Sequence, residues 1–271
     1  PGLRWNLDFG GLTNSSISVG DVNHDGMSEA VVGTFDGSVH CVDCLTGALD
    51  WVYHMYNAFD AKPALGDLNG DGYPEIVVAS HTGELWSLTG SGTLSWVLKV
   101  NDSIWAAPTL SDLYRDGRQE ILIASQNGNV SCINGTGGLK WSTKVAGLFM
   151  FSSPCCADLN GDNFTEILVG SFYNALYCLD SFGSLKWNST LSGSPYYQMT
   201  TSDVNKDGKP EVIAGASDGR IYIVNGTGGI IWSCNAGGEI ASPIAADDIN
   251  HDGVPEMVMI VGIAFCNLTC V

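Results

Sequence analysis

Two markers recur through this chain with a common period. Acidic segments begin at Asp21, Asp67, Asp112, Asp158, Asp203 and Asp248, spaced 46, 45, 46, 45 and 45 residues apart. Six tryptophans, Trp5, Trp51, Trp96, Trp141, Trp187 and Trp232, keep the same interval. Two independent series do not share a period by chance, and about 40–50 residues is the span of one four-stranded propeller blade.

The second period shows how the strands fall. Pro63 to Gly66 reads as a short inner strand, Glu75 to Ser80 as an apolar strand, and Glu84 to Leu88 and Leu94 to Val100 as alternating strands. Turns are marked by Thr82-Gly83 and Gly90 to Gly92, with Asp36-Gly37, Asn127-Gly128 and Asp218-Gly219 as equivalents. No stretch keeps an apolar spacing of 3.6, and 34 glycines break every window long enough for a helix. The expected fold is therefore all-β: a six-bladed propeller of four-stranded antiparallel blades, one domain over residues 1–271. An orphan strand, Gly2 to Phe9, precedes the first acidic segment, and only Glu256 to Val261 and Ile263 to Asn267 follow the last. The N-terminal strand is thus expected to complete the sixth blade, which leaves no long sheet edge exposed. The same register also suits a slice of a longer tandem array.

Each acidic segment has the donors of a cation-binding loop. Calcium takes six or more oxygens from alternating loop positions plus a backbone carbonyl. Positions 1, 3, 5, 7 and 9 offer Asp21, Asn23, Asp25, the carbonyl of Met27 and Glu29; Asp67, Asn69, Asp71, Tyr73 and Glu75; Asp203, Asn205, Asp207, Lys209 and Glu211; and Asp248, Asn250, Asp252, Val254 and Glu256. The third loop, with Asp112, Asp116 and Glu120, has Tyr114 in place of the amide and is expected to bind more weakly. The fourth, with Asp158, Asn160, Asp162 and Glu166, has Asn163 where the others have glycine, a residue that tolerates the left-handed conformation. These loops hold 18 of the 29 acidic residues, and six divalent ions would bring the net charge from -18 to -6.

The D-x-N-x-D-G-x-x-E loops, each followed by an apolar strand, resemble the FG-GAP repeats of integrin α-subunit propellers and related cell-surface proteins. Gly138-Leu139-Lys140-Trp141 and Gly183-Ser184-Leu185-Lys186-Trp187 are similar to the quinoprotein-like propeller repeat. The FG-GAP resemblance implies that the loops join the first and second strand of each blade and carry calcium as a structural ion. This chain has glutamate at the ninth position where that family usually has aspartate, and six periods where the integrin propeller has seven.

Eleven Lys and Arg against 29 acidic residues leave no basic stripe for nucleic acid. No apolar run reaches 18 residues, so no membrane span is expected, and the start at Pro1 without a leader suits a mature product or an excised part. Eight N-x-Ser/Thr sequons, at Asn14, Asn101, Asn129, Asn134, Asn163, Asn188, Asn225 and Asn267, together with nine cysteines, point to a secreted or cell-surface glycoprotein. Cys41 and Cys44 read as a local staple or as unpaired residues, and the odd total requires one thiol that is free or bonded to another chain.

His24, His40, His54, His81 and His251 are scattered, and no nucleophile elbow or zinc spacing accompanies them, so no catalytic site is expected. Binding is expected on the rim opposite the acidic loops, where Tyr56, Phe59, Trp105, Phe149, Phe151, Tyr196 and Tyr197 gather. Its partner would be an extracellular protein or glycan. A second class is a repeating subunit of an extracellular filament, with identical subunits as partners, and a remote third is a carbohydrate-active enzyme.

Overall fold

The computed structural model describes residues 4–9, 15–55, 57, 61–145, 152–240, 242–251, 255–262 and 267–270. Residues 1–126 and 131–141 form one compact unit, and residues 127–130 and 142–271 a second. The described residues contain strands and no helix.

In the first unit, β1 (Ser18–Gly20), β2 (Glu29–Gly33), β3 (Ser38–Asp43) and β4 (Leu49–His54) form one antiparallel meander. A second is made by β5 (Ala64–Gly66), β6 (Glu75–Ala79), β7 (Glu84–Leu88) and β8 (Leu94–Lys99), within a residue of the expected bounds. The third consists of β9 (Thr109–Ser111), β10 (Glu120–Ala124), β11 (Asn129–Ile133) and β12 (Leu139–Lys144). The second unit continues with β13 (Cys155–Ala157), β14 (Glu166–Ser171), β15 (Ala175–Leu179) and β16 (Leu185–Thr190), then β17 (Thr200–Ser202), β18 (Glu211–Gly215), β19 (Arg220–Val224) and β20 (Ile230–Asn235). Its last sheet has three strands, β21 (Ala245–Asp247), β22 (Glu256–Val261) and β23 (Asn267–Cys270).

Second strands such as β6 and β10 are buried at every position because a neighbouring sheet covers each face. Val31, Val39 and Cys41 of the first sheet pack on Ile76, Val78 and Leu88 of the second, whose other face meets Ile121, Ile123 and Ile133 of the third. In the second unit Leu168, Leu176 and Cys178 pack on Val212, Ala214 and Val224, and Ile213, Ile221 and Ile223 on Met257 and Met259. Outer strands are mostly exposed, with four of six residues open in β8 and in β12.

One irregularity recurs. The register shifts by one residue between Leu49 and Trp51, between Leu94 and Trp96, between Leu185 and Trp187 and between Ile230 and Trp232. The extra residue, always the one before the tryptophan, forms a β-bulge.

The chain ends depart from expectation. Residues 4–9 are not in a strand, and the final described strand is Asn267–Cys270; residues 1–3 and 263–266 lie outside the described residues. Trp5 nevertheless keeps the repeat. Its indole donates to the Cys44 carbonyl at 3.0 Å, as Trp51 does to Gly90, Trp96 to Gly135 and Trp187 to Gly226, each 39 residues onward.

Candidate metal-binding loops

Each acidic loop links the inner strand of its sheet to the second strand, and they share one backbone course. Position 4 is left-handed in His24, Gly70, Arg115, Gly161, Lys206 and His251, and position 6 in Gly26, Gly72, Gly117, Asn163 and Gly208. Asn163 thus adopts the conformation expected of it, with φ 68°. The left-handed residue at position 4 went unseen in the sequence, where only Gly70 and Gly161 hinted at it.

Side chains hold this course from within. The position-1 aspartate accepts the position-6 N–H, at 3.1 Å for Asp21, 2.8 Å for Asp67, 3.0 Å for Asp112, 2.8 Å for Asp158 and 2.9 Å for Asp203. The position-5 aspartates Asp25, Asp71, Asp116, Asp162 and Asp207 accept the position-7 N–H of Met27, Tyr73, Arg118, Phe164 and Lys209. The amide oxygens of Asn23, Asn69, Asn160 and Asn205 accept the N–H of position 5.

The ninth-position glutamate opens the second strand and reaches back. One oxygen of Glu29, Glu75, Glu120, Glu166, Glu211 and Glu256 accepts the position-2 N–H, of Val22, Leu68, Leu113, Leu159, Val204 and Ile249, at 2.9–3.1 Å. The other oxygen takes the position-3 amide N–H of Asn69, Asn160, Asn205 and Asn250. Burial pushes the carboxyls of Glu29, Glu75, Glu120, Glu166 and Glu211 above their ordinary value. At Asp67 and Asp158 burial acts in the same direction, but the loop N–H groups outweigh it and hold both carboxyls low. Asp252 and Val254 of the sixth loop lie outside the described residues.

The first and third loops differ from the rest. In the first, the Asn23 amide turns to Asp25, and Glu29 Oε1 and Asp21 Oδ1 are buried without a hydrogen-bond partner. In the third, Lys140 Nζ sits 3.0 Å from Glu120 Oε1 and 3.8 Å from the centre of the Tyr114 ring, whose hydroxyl accepts the Trp141 indole N–H at 3.2 Å. Among the described residues no group of three or more Asp, Glu, His or Cys side chains converges as a metal cluster, because the loop carboxylates turn onto their own N–H groups. The donors still suit a hard cation: they are oxygens at alternating positions, and buried carboxylate oxygens without a donor, as at Glu29 and Asp21, lack a positive neighbour.

The loops are built into the seams between sheets. Gly90 lies so close to the Val22 carbonyl that a Cβ would overlap it, and a Cβ at Gly135 or Gly226 would likewise overlap the Leu68 or Leu159 carbonyl. The carbonyls of those glycines accept the preceding sheet's tryptophan, so loop, turn and tryptophan form one knot. A cavity of about 350 Å³ opens where Asn23, Asn69, Asp71 and Glu75 meet Thr89 to Ser91.

These loops and sheets match known repeats. An FG-GAP-like repeat model matches residues 67–123, and the λ-carrageenase β-propeller domain model matches residues 137–200 and 182–258. This is a β-propeller chain with FG-GAP repeats. No curated protein sequence matches it. Among solved structures, BamB from Moraxella catarrhalis is 19% identical with TM-score 0.61, over 95% of this chain and 83% of that one. The V. cholerae biofilm matrix protein Bap1 is 22% identical with TM-score 0.68, over 87% of this chain and 42% of that one. Saccharomyces cerevisiae Sqt1 is 15% identical with TM-score 0.67, over 86% and 66%. At these identities the propeller fold is what is shared.

At the opposite ends of the strands the propeller carries aromatic groups. Trp105, 41% exposed, stacks on His81 with ring centres 4.1 Å apart. Tyr196 stacks on Phe172 at 5.8 Å, meets Tyr197 edge-on and donates to Glu239 at 3.2 Å. Phe172 and Tyr173 were missed in the sequence, and His81 was read only as a scattered histidine, although all three lie in the hairpins marked elsewhere by Asp-Gly. Tyr56, Phe59, Phe149 and Phe151 lie outside the described residues. So does Asn14, whereas Asn101, Asn163 and Asn188 are exposed and Asn129, Asn134 and Asn225 half-buried. The described cysteines Cys41, Cys44, Cys132, Cys155, Cys156, Cys178 and Cys234 are unbridged, so Cys41 and Cys44 form no staple. Burial pushes the Cys41 and Cys178 thiols up to about 12, which makes them inert packing groups. Among the described residues no helix is long and apolar enough to cross a membrane.

Proposed function

We propose that this chain is a secreted, N-glycosylated, calcium-stabilised binding module with no catalytic role. Its six sheets would form one ring, closed by the N-terminal segment lying along the last sheet. The observation that carries the calcium assignment is the first loop, where buried oxygens of Glu29 and Asp21 have no donor. Closure is supported by Trp5, which meets the first sheet as Trp51 meets the second. In each loop the carboxylates at positions 1, 5 and 9, the position-3 amide and the position-7 carbonyl would hold the ion. Its charge would relieve the repulsion among those carboxylates and tighten each seam. The ligand, a protein or glycan, would dock on the aromatic rim around Trp105, Tyr196 and Tyr197. The likeness to a biofilm matrix protein and to a carrageenase propeller domain agrees with an extracellular, glycan-rich setting.

A second reading, a subunit of an extracellular filament, draws on β20. Its Ile230, Ile231 and Trp232 are each more than 40% exposed on an outer strand, a surface suited to a second copy.

Secretion of the chain from a eukaryotic host tests the main reading. Intact mass should fall on glycosidase treatment, and a chelator should lower the melting temperature of the purified protein. An unchanged mass removes the glycoprotein assignment, and an unchanged melting temperature removes the calcium assignment.

A further inference from the structure

The bulge before each tryptophan points to a control on the loops. In four sheets the extra residue is Asp50, Ser95, Lys186 or Ile231, and Lys140 holds the same place in the third, between Leu139 and Trp141. A bulge re-aims a side chain out of the normal alternation. In the third sheet the residue in this place reaches the ninth-position glutamate: Lys140 Nζ lies 3.0 Å from Glu120 Oε1, on a carboxylate only 2% exposed. Ser95 lines the cavity of Glu75, and Ile231 that of Glu211.

The charge delivered there differs in sign. In the third loop the ammonium meets Glu120, and Tyr114, which carries no compact oxygen ligand, provides the ring on which the ammonium rests. A divalent cation at Glu120 Oε1 would be repelled by the ammonium already seated there. In the first loop the residue in this place is Asp50, an exposed carboxylate whose charge acts on Glu29, itself 0% exposed and with no partner for its Oε1.

We infer that the residue before each outer-strand tryptophan sets whether its loop takes a divalent cation: Asp50 makes the first loop the tightest site, and Lys140 closes the third loop on its own ammonium so that it binds none. The inference rests on the calcium reading of the loops. Its physical content is that a side chain from another strand, outside the nine-residue loop, decides occupancy.

Calcium titration of the chelator-stripped full chain by calorimetry tests it, with terbium luminescence excited through the tryptophans as a second readout. The wild type should bind one ion fewer than it has loops. The double variant Tyr114→Asn, Lys140→Ser should gain one ion, and Asp50→Asn should weaken the tightest step about tenfold while leaving the others in place. Lys140→Gln, which keeps the stem packed on Tyr114, serves if the double variant fails to fold; it should acquire a calcium-dependent rise in melting temperature that exceeds the wild type's. A wild type that already fills every loop, or folded Lys140 variants that gain neither an ion nor added calcium dependence, overturns the role of Lys140. An unchanged first step in Asp50→Asn overturns that of Asp50. A chain that binds no calcium at all instead defeats the calcium reading beneath both.

Discussion

The two ends of the strands follow different rules. At the acidic end, loop after loop repeats the same left-handed positions, the same aspartate-to-amide bonds and the same glutamate reaching back to position 2. At the other end each hairpin is held differently. Thr34 and Ser38 gather on Asp36, Ser80 meets Thr82, Ser194 ties to Asn174, and Tyr222 donates to Asp218. The repeated end carries the seams, where one backbone fit must recur in each sheet. The varied end is released from that demand, and its aromatic groups are exposed rather than spent on packing.

Breaking the repeated end at its tightest point should have the largest effect. Gly90→Val drives a side chain into the Val22 carbonyl and pulls the turn from Trp51, so the fold should lose about 3 kcal/mol, read by urea denaturation. A loss below about 0.5 kcal/mol would mean that the seam yields easily.

Loop chemistry comes next. Asp71→Ala removes the acceptor for the Tyr73 N–H and a proposed calcium ligand, at a cost of about 1–2 kcal/mol. It should also shrink the difference between melting curves in calcium and in chelator. Asp116→Ala should lose the Arg118 bond alone and leave that difference intact. Equal loss of calcium dependence in both would erase the distinction between the second and third loops.

The buried glutamates predict a pH effect of known sign. Burial raises their native carboxyls above the ordinary 4.5, so the folded state holds these protons more tightly than the unfolded chain does. In chelator this part of the stability is fully present below that value and is lost as pH rises through the raised range. Asp67 and Asp158 act oppositely, losing their contribution as pH falls through and below 3.8. Melting curves in chelator should therefore show the wild type gaining on Glu75→Gln as pH drops from 7.5 towards 5. A constant gap between the two would show that the native carboxyl of Glu75 is not raised.

The smallest stability effects belong to the varied end. Trp105→Ala and Tyr197→Ala should each change stability by less than about 1 kcal/mol while abolishing binding to whatever surface or extract retains the wild type. Retained binding in both would move the ligand site elsewhere.

Periodicity made the repeated end legible. Strand β6 was read as Glu75 to Ser80 and ends at Ala79, because its run of apolar residues is buried on both faces. The donors of each loop were legible from alternating oxygens. Their occupation by the loop's own N–H groups was not, since that depends on left-handed residues such as His24 and Lys206 that no propensity announces. Lys140 was invisible as a loop partner because its contact with Glu120 joins the outer strand to a loop 20 residues earlier, a pairing that the nine-residue motif does not contain. Phe172 escaped because its hairpin has Asn174 at positive φ where others have glycine.

The central claim is that divalent calcium completes the loops of the repeated end. Calorimetric titration of the chelator-stripped chain, paired with melting curves, tests it most directly. The account predicts saturable binding of several calcium ions per chain, with a melting temperature that climbs as they bind. No saturable heat, with identical melting in calcium and in chelator, would contradict it.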